Sequence, residues 1–249
     1  MNEITREQRI NEAFVKVADT LMDSYDVVDL LSTLVHECTD LLGVDAGGML
    51  IADSFGNLEL VASTSEEAEF VEVMQLAAGA GPCVDCFTSG AAVSVEDIAT
   101  TGDSWPQFTA AALQRGFRSL HATPMRLRGR VIGTMNLLGA RPGVFDERDS
   151  ALAQALADVA IIGILQERSL RDPQIISDQL HLALDTRVMI EQAKGVLSHV
   201  HSMSMEDAFA TLRSYARDRG MTLRAVAGGI IDRSITLDTP AARGVHREA

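Results

Sequence analysis

The chain is poor in cysteine: Cys38, Cys83 and Cys86 are too few and too clustered for the disulfide framework of a secreted domain. It is poor in aromatic residues too, at 4%, yet 47% hydrophobic content, supplied by Ala, Val, Leu and Ile with clear periodicity, excludes a disordered chain. No run has the apolar length of a membrane span, and the N-terminal MNEITREQRI lacks a signal-peptide core, so a cytoplasmic protein with no membrane partner is expected. Lysine is nearly missing. Lys16 and Lys194 stand against nineteen arginines, a bias that with the many alanines suits a GC-rich bacterial genome. There is no glycine-rich phosphate loop, no H-E-x-x-H and no G-x-S-x-G with partners, and the carboxylates are scattered on helices as solvated faces. No enzyme is expected from this.

What the chain has is acid, unevenly placed. The net charge of −14 would argue against a nucleic-acid partner, but residues 1–167 hold 10 basic and 25 acidic side chains, whereas residues 168–249 hold 11 and 10. The acidity is confined to the front.

Apolar residues at Ile10, Phe14, Val17 and Leu21 make one helical stripe, and a second helix is expected over Val28–Leu42 with Gly43 as its stop. The pattern then changes to short strands at Gly48–Ala52 and Leu58–Ser63, joined by the turn-rich Asp53 to Asn57. Further strands are expected at Ala92–Val95, Ser119–Leu127 and Val131–Leu138, the last pair joined at Arg128-Gly129-Arg130. Helices are expected at Glu66–Ala77, Trp105–Arg115 and from Asp146 to about Leu170, the last with Leu152, Leu156, Val159, Ile162 and Gln166 near heptad spacing. This order is α+β.

Arg171-Asp172-Pro173 interrupts the pattern and marks a domain boundary. Beyond it the spacing is all helical. One helix is expected from about Ile175 to His199, with one stripe through Ile176, Leu180, Ala183, Ile190 and Leu197 and a second through Leu182, Met189, Ala193, Val196 and Val200. Ser204 with Asp207 resembles a capping box opening a second helix that Gly220 stops, and Thr222 can cap a third. Residues 238–249 are polar and stripeless, and a disordered tail is expected there. The expected organisation is therefore 1–172, 173–237 and 238–249.

From Gln179 to Arg233 the sequence closely resembles the ANTAR family. The run Arg187-Val-Met-Ile-Glu-Gln-Ala-Lys-Gly-Val-Leu197 carries most of the likeness, with Ser204 to Phe209, Leu212-Arg213, Tyr215-Ala216-Arg217 and Leu223 to Ala227. The resemblance implies a three-helix bundle that binds paired hairpins in leader transcripts and prevents a terminator from forming. The chain departs from the family pattern at Val200 and Thr222, where basic residues are common, and at Ser202, which replaces a usual glycine. The candidate RNA-binding residues are Arg187, Lys194, Arg213, Tyr215, Arg217 and Arg224: the cations suit phosphates and Tyr215 a splayed base. Read from spacing alone, the same residues are solvated arginines, an Arg187–Glu191 surface pair and a core tyrosine.

The first 167 residues resemble a GAF domain through Gly81-Pro82-Cys83-Val-Asp-Cys86, Asn136-Leu137-Leu138, Phe145 and Asp149. The resemblance implies an antiparallel sheet flanked by helices, with a small-molecule pocket on one face. Leu137 and Ser150 stand where cyclic-nucleotide-binding members carry lysine and glutamate, so no cyclic nucleotide, and no other cofactor, is expected. Cys83, Cys86, Trp105, Phe117 and His121 are the candidate pocket residues for an unknown ligand. The single C-x-x-C reads as buried structural cysteines, a redox pair or half a metal site; His36, Cys38 and His121 are possible further ligands, and no complete metal site is visible.

The expected whole is a GAF-like sheet, a long connecting helix and a three-helix ANTAR bundle, paired as a homodimer through the Ile10 to Leu21 and Leu152 to Ile162 stripes. A receiver domain is excluded at the front, since the N-terminal half's one lysine, Lys16, lies in the first helix. The expected function is signal-responsive RNA binding in transcription antitermination. The alternative is an interaction module, or a small-molecule or redox sensor, whose helical tail does not bind RNA.

Overall fold

The computed structural model describes residues 5–22, 27–53, 55–101, 103–166 and 173–237, and the side chains among these except 17–22, 165–166 and 173–182. The expected tail at 238–249 and the interruption at Arg171-Asp172 lie outside the described residues. By compactness the chain divides into two units, residues 1–187 and 188–249, with the division inside one long helix.

In the first unit, helices α1 (Arg6–Met22) and α2 (Val27–Leu42) precede strands β1 (Ala46–Ala52) and β2 (Leu58–Ser63). Helices α3 (Glu66–Ala78) and α4 (Pro82–Ser89), strand β3 (Val93–Val95) and helix α5 (Pro106–Gln114) follow. Strands β4 (Ser119–Leu127) and β5 (Arg130–Gly139) and helix α6 (Glu147–Gln166) complete the unit's main elements. The five strands form one antiparallel sheet in the order β2-β1-β5-β4-β3.

Local chemistry explains its turns. The Asp53 carboxylate accepts from the backbone N–H of Phe55 and of Asn57, both at 2.8 Å, which closes the β1–β2 loop. Arg128 and Gly129 have φ of 49° and 82°, the pair of positive values that a two-residue hairpin needs to match strand twist. No helix is expected from sequence over Pro82–Ser89, yet one forms there. Pro82 stands at the first turn of α4, where its missing N–H is harmless and its fixed φ favours the helix, and Gly90 at φ 68° ends it.

The sheet buries both faces. Ala46, Leu120, Ala122 and Leu138 pack on one face with Ala68 and Val71 of α3, Cys86 of α4 and Phe108 and Ala112 of α5. On the opposite face Cys38 of α2 donates its S–H to Met135 Sδ at 3.4 Å, and Gln154 of α6 donates to the Pro124 carbonyl. The heptad stripe expected on α6 is split. Leu156 is buried with Ala153, Ala157, Ala160, Ile161 and Ile164, while Leu152 and Val159 are half-buried and Ile162 is exposed. Alanines let α6 approach the core closely and draw the inward face around the helix. On α1, Ile10 and Phe14 are half-buried, and Val17 and Leu21 lie outside the described side chains.

The second unit comprises the end of α7 (Pro173–His201), then α8 (Met205–Asp218) and α9 (Leu223–Ile231). Its core is Ile190, Ala193 and Leu197 of α7, Ala208, Leu212 and Ala216 of α8, and Leu223, Val226, Ala227 and Ile230 of α9. The second stripe expected on α7 is not buried throughout: Val196 and Val200 are exposed, because a short bundle covers only one side of that helix. Ser204 Oγ accepts from the Asp207 N–H at 3.0 Å and donates to its carboxylate at 2.8 Å, which opens α8 as a capping pair. Thr222 Oγ1 accepts from the Ala225 N–H at 3.2 Å and opens α9. Ser202 sits at φ 53°, a left-handed conformation that favours the glycine it replaces. Among the described residues no helix is long and apolar enough to cross a membrane.

Candidate functional site

The candidate RNA-binding side chains differ in what holds them. Arg187 belongs to the first unit, where it donates to the Leu60 carbonyl and, at 2.9 Å, to Glu69. Its side chain is only 14% exposed, and the surface pair with Glu191 is not formed. Glu191 instead takes Lys194, whose Nζ lies 2.9 Å from both carboxylate oxygens. The Lys194 side chain is only 13% exposed and lies 5.7 Å from the Phe209 ring centroid. Arg213, half-buried, approaches the same ring at 5.9 Å. Lys194 and Arg213 are thus gathered around Phe209, which is not among the candidate RNA-binding residues.

The end of α8 is different. Arg217 and Arg219 are exposed, and the Arg219 guanidinium carbon lies 3.8 Å above the centroid of the half-buried Tyr215 ring. Both cations sit at the negative end of the helix dipole. Arg224 is half-buried on α9.

The five candidate pocket residues fall apart into separate places. Phe117 and Cys86 are buried in the cluster around Phe108, with Trp105 packed against it edge-on to Phe108 at 6.3 Å. Trp105 Nε1 donates to Asp85 at 3.1 Å. Cys83 belongs to another cluster, with Leu50 and Leu60. Of the five, His121 alone lines a shallow open cleft, among Val44, Leu137, Val144 and Phe145. Its Nδ1 is 2.6 Å from Ser94 Oγ, its ring stacks on Phe145 at 4.6 Å, and burial pushes its pKa down.

The thiols are poorly placed for redox chemistry. Cys38, Cys83 and Cys86 are all buried and free, and burial pushes their pKa values up, that of Cys86 to about 12. Beside Cys83 lies a buried polar group that sequence reasoning missed. Gln75 accepts from the Cys83 N–H and donates to Glu72 Oε2, each at 3.2 Å. Burial pushes the Glu72 carboxyl up to about 8, an effect that the nearby Asn136 and Cys83 side chains partly offset. No partner reaches hydrogen-bond geometry on Glu72 Oε1 or on either amide atom of Asn136.

This arrangement of helices over both faces of a β2-β1-β5-β4-β3 sheet has known counterparts. A family model described as GAF domain matches residues 24–164, more than half of the chain. The chain belongs to the GAF domain family. A second model, described as ANTAR domain, matches residues 178–231 C-terminal to the GAF domain. The transcriptional regulatory protein PdtaR of two Mycobacterium tuberculosis strains, CDC 1551 and H37Rv, is 40% identical over 57 residues. That match takes in 23% of this chain and about a quarter (26%) of PdtaR.

Among solved structures, a free methionine-R-sulfoxide reductase from Neisseria meningitidis is 21% identical with a TM-score of 0.51, covering 66% of this chain and 90% of that one. The GAF domain of an Acinetobacter phosphoenolpyruvate-protein phosphotransferase is 14% identical with a TM-score of 0.50, covering 65% and 96%. At these identities the likeness is one of GAF fold alone.

In the GAF domain, Glu72 and Gln75 were hidden in an acidic helix that reads as solvated; their one signal was the i, i+3 spacing of two polar residues that both face inward. In the segment that matches the ANTAR model, Arg219 follows Tyr215 by four residues, a spacing that lets two helical side chains meet but does not say that they do.

Proposed function

We propose that this GAF–ANTAR protein is a signal-responsive regulator that binds RNA hairpins through its C-terminal helices and acts in transcription antitermination. The observation that carries the reading is the ANTAR match over 178–231, together with two exposed arginines and an aromatic ring at the end of α8. A cation to meet phosphate and an aromatic–cation pair able to meet a base are what single-stranded loops require. The likeness to a transcriptional regulatory protein supports the same reading. The role proposed for the GAF domain is regulatory and non-catalytic. Its buried, proton-retaining thiols support this, since the thiolate is the reactive form. A small-molecule signal is proposed to act on the GAF domain, where His121, one of the candidate pocket residues, lines an open cleft beside Phe145.

The test uses full-length protein and an RNA of two hexaloop hairpins at low salt. Binding is expected, and Arg217→Ala should weaken it without altering thermal melting. The slope of log affinity against log salt should fall by roughly 0.7 to 0.9 in that variant, one phosphate contact's worth. Lys194→Ala should be less clean, because it also frees the Glu191 carboxylate. Absence of binding by the wild-type protein would reject RNA recognition and favour an interaction module.

Homodimer formation through α1 and α6 is proposed with it. The half-buried Ile10, Phe14, Leu152 and Val159 and the exposed Ile162 support pairing, since such side chains gain by being covered. Sedimentation at micromolar concentration should give twice the chain mass of 26.8 kDa. A monomer alone would reject it.

A further inference from the structure

Tyr215 is one of the residues that resemblance selects for stacking on an RNA base, yet one face of its ring is occupied. The Arg219 guanidinium carbon lies 3.8 Å above the centroid, well within the reach of a cation–π contact. We infer that Arg219 supported on Tyr215 is the stacking platform for an unpaired base of the bound RNA. The inference rests on the proposed RNA-binding function and names the group within it that receives the base.

The backbone explains why Arg219 is held there. Gly220, at φ 60°, ends α8, with the Met221 N–H donating to the Ala216 carbonyl at 2.9 Å and the Gly220 N–H to that of Arg217 at 3.2 Å. This closing loop fixes Arg219 as the residue just past the last turn, one turn beyond Tyr215. Its side chain turns back toward the helix N-terminus, the direction helical side chains take, and so covers the ring four residues earlier.

A guanidinium is planar and weakly hydrated on its faces, so a cation stacked on an aromatic ring keeps its outer face for a second planar group. Arg219 is exposed, and among the described residues no ion pair holds it or Arg217. Of the aromatic–cation contacts among the described residues of the second unit, this is the one whose cation is exposed: Lys194 and Arg213 at Phe209 are each more covered. A nucleobase supplies the missing planar group, and its flanking phosphates meet Arg217 two residues away. A protein partner would offer a carboxylate to the guanidinium edge instead, and nothing in that mode uses the stack.

The experiment places 2-aminopurine at successive loop positions of a two-hairpin, hexaloop RNA and adds the full-length protein. Wild-type protein should quench the fluorescence at one loop position as that base stacks. Arg219→Lys keeps the charge and removes the plane. It should weaken binding by about tenfold, abolish the quenching and leave the salt slope unchanged. Arg217→Ala should do the reverse, lowering the slope and keeping the quenching. Melting curves of each variant establish that the helices remain folded, and Tyr215→Leu, which removes the support beneath the guanidinium, provides a second route to the same loss. Arg219→Lys binding with wild-type affinity and wild-type quenching would overturn the platform and leave RNA binding standing. Wild-type protein that binds no RNA would overturn the parent reading and the platform together.

Discussion

Glu72→Gln is expected to be more stable than the wild-type protein at pH 8 and to lose that advantage as the pH falls to 5. The Glu72 carboxyl is fully buried against the sheet, where a Cβ on Gly48 would lie only 3.3 Å from Glu72 Cγ. Burial pushes its pKa from 4.5 up to about 8, and the Asn136 and Cys83 side chains offset only part of that rise. Between those values the folded protein holds a proton that the unfolded chain has released. The contribution is therefore complete below pH 4.5 and is lost progressively as pH rises through 8. At 1.36 kcal/mol per unit the loss across the window is on the order of 5 kcal/mol. Glutamine keeps the shape and does not titrate. Urea unfolding of both proteins from pH 5 to 8.5 should give a difference that widens with pH. Two parallel profiles would show that Glu72 does not hold its proton in the folded state.

Gly133→Ala is expected to destabilise the first unit by about 3 kcal/mol or more, near the upper end for an added methyl group. A Cβ at Gly133 would lie 2.2 Å from the Leu50 carbonyl oxygen and 3.2 Å from the Ile51 Cα, which are backbone atoms and cannot turn aside. Strand β5 is also pinned between β1 and β4, so it has no direction in which to yield. Gly228→Ala is the internal comparison. There the added carbon meets Met189 Cε at 3.2 Å, the mobile end of a flexible side chain, and the helix gains an alanine in place of glycine. Its effect should lie within about 1 kcal/mol of zero. Denaturant curves read by circular dichroism should separate the two, and a Gly133→Ala curve matching wild type would show that β1 and β5 are not held this closely.

The two glycines differ in a way that no periodicity reports, and the same holds for the acids of α3. Glu66, Glu67 and Glu69 keep some contact with solvent while Glu72 has none, although all four lie in one acidic run. A carboxylate scattered on a helix is ordinarily solvated, and that expectation fails at Glu72 because the helix phase carries it beneath the sheet. Arg187 is a similar case. Its spacing from Glu191 suggested a surface pair, but Arg187 is bound to Leu60 and Glu69, and Glu191 to Lys194. Which carboxylate a cation meets is a tertiary fact.

Residue pattern alone determined the elements whose physics is local. The strands at Leu58–Ser63 and Ser119–Leu127 were legible from alternation, the Arg128-Gly129 hairpin from turn chemistry, and the Ser204 and Thr222 helix starts from capping. Motif resemblance added the GAF and ANTAR families. Helix α4 was missed because eight residues show too little periodicity to tell a helix from a loop. Only the tertiary structure decided that Cys83 and Cys86 belong to different clusters, that Glu72 is buried beside Gln75, and that Arg219 covers Tyr215. Alternation and capping act over a few residues and leave their mark in order and spacing; burial and stacking depend on which surfaces the folded chain brings within a few ångströms.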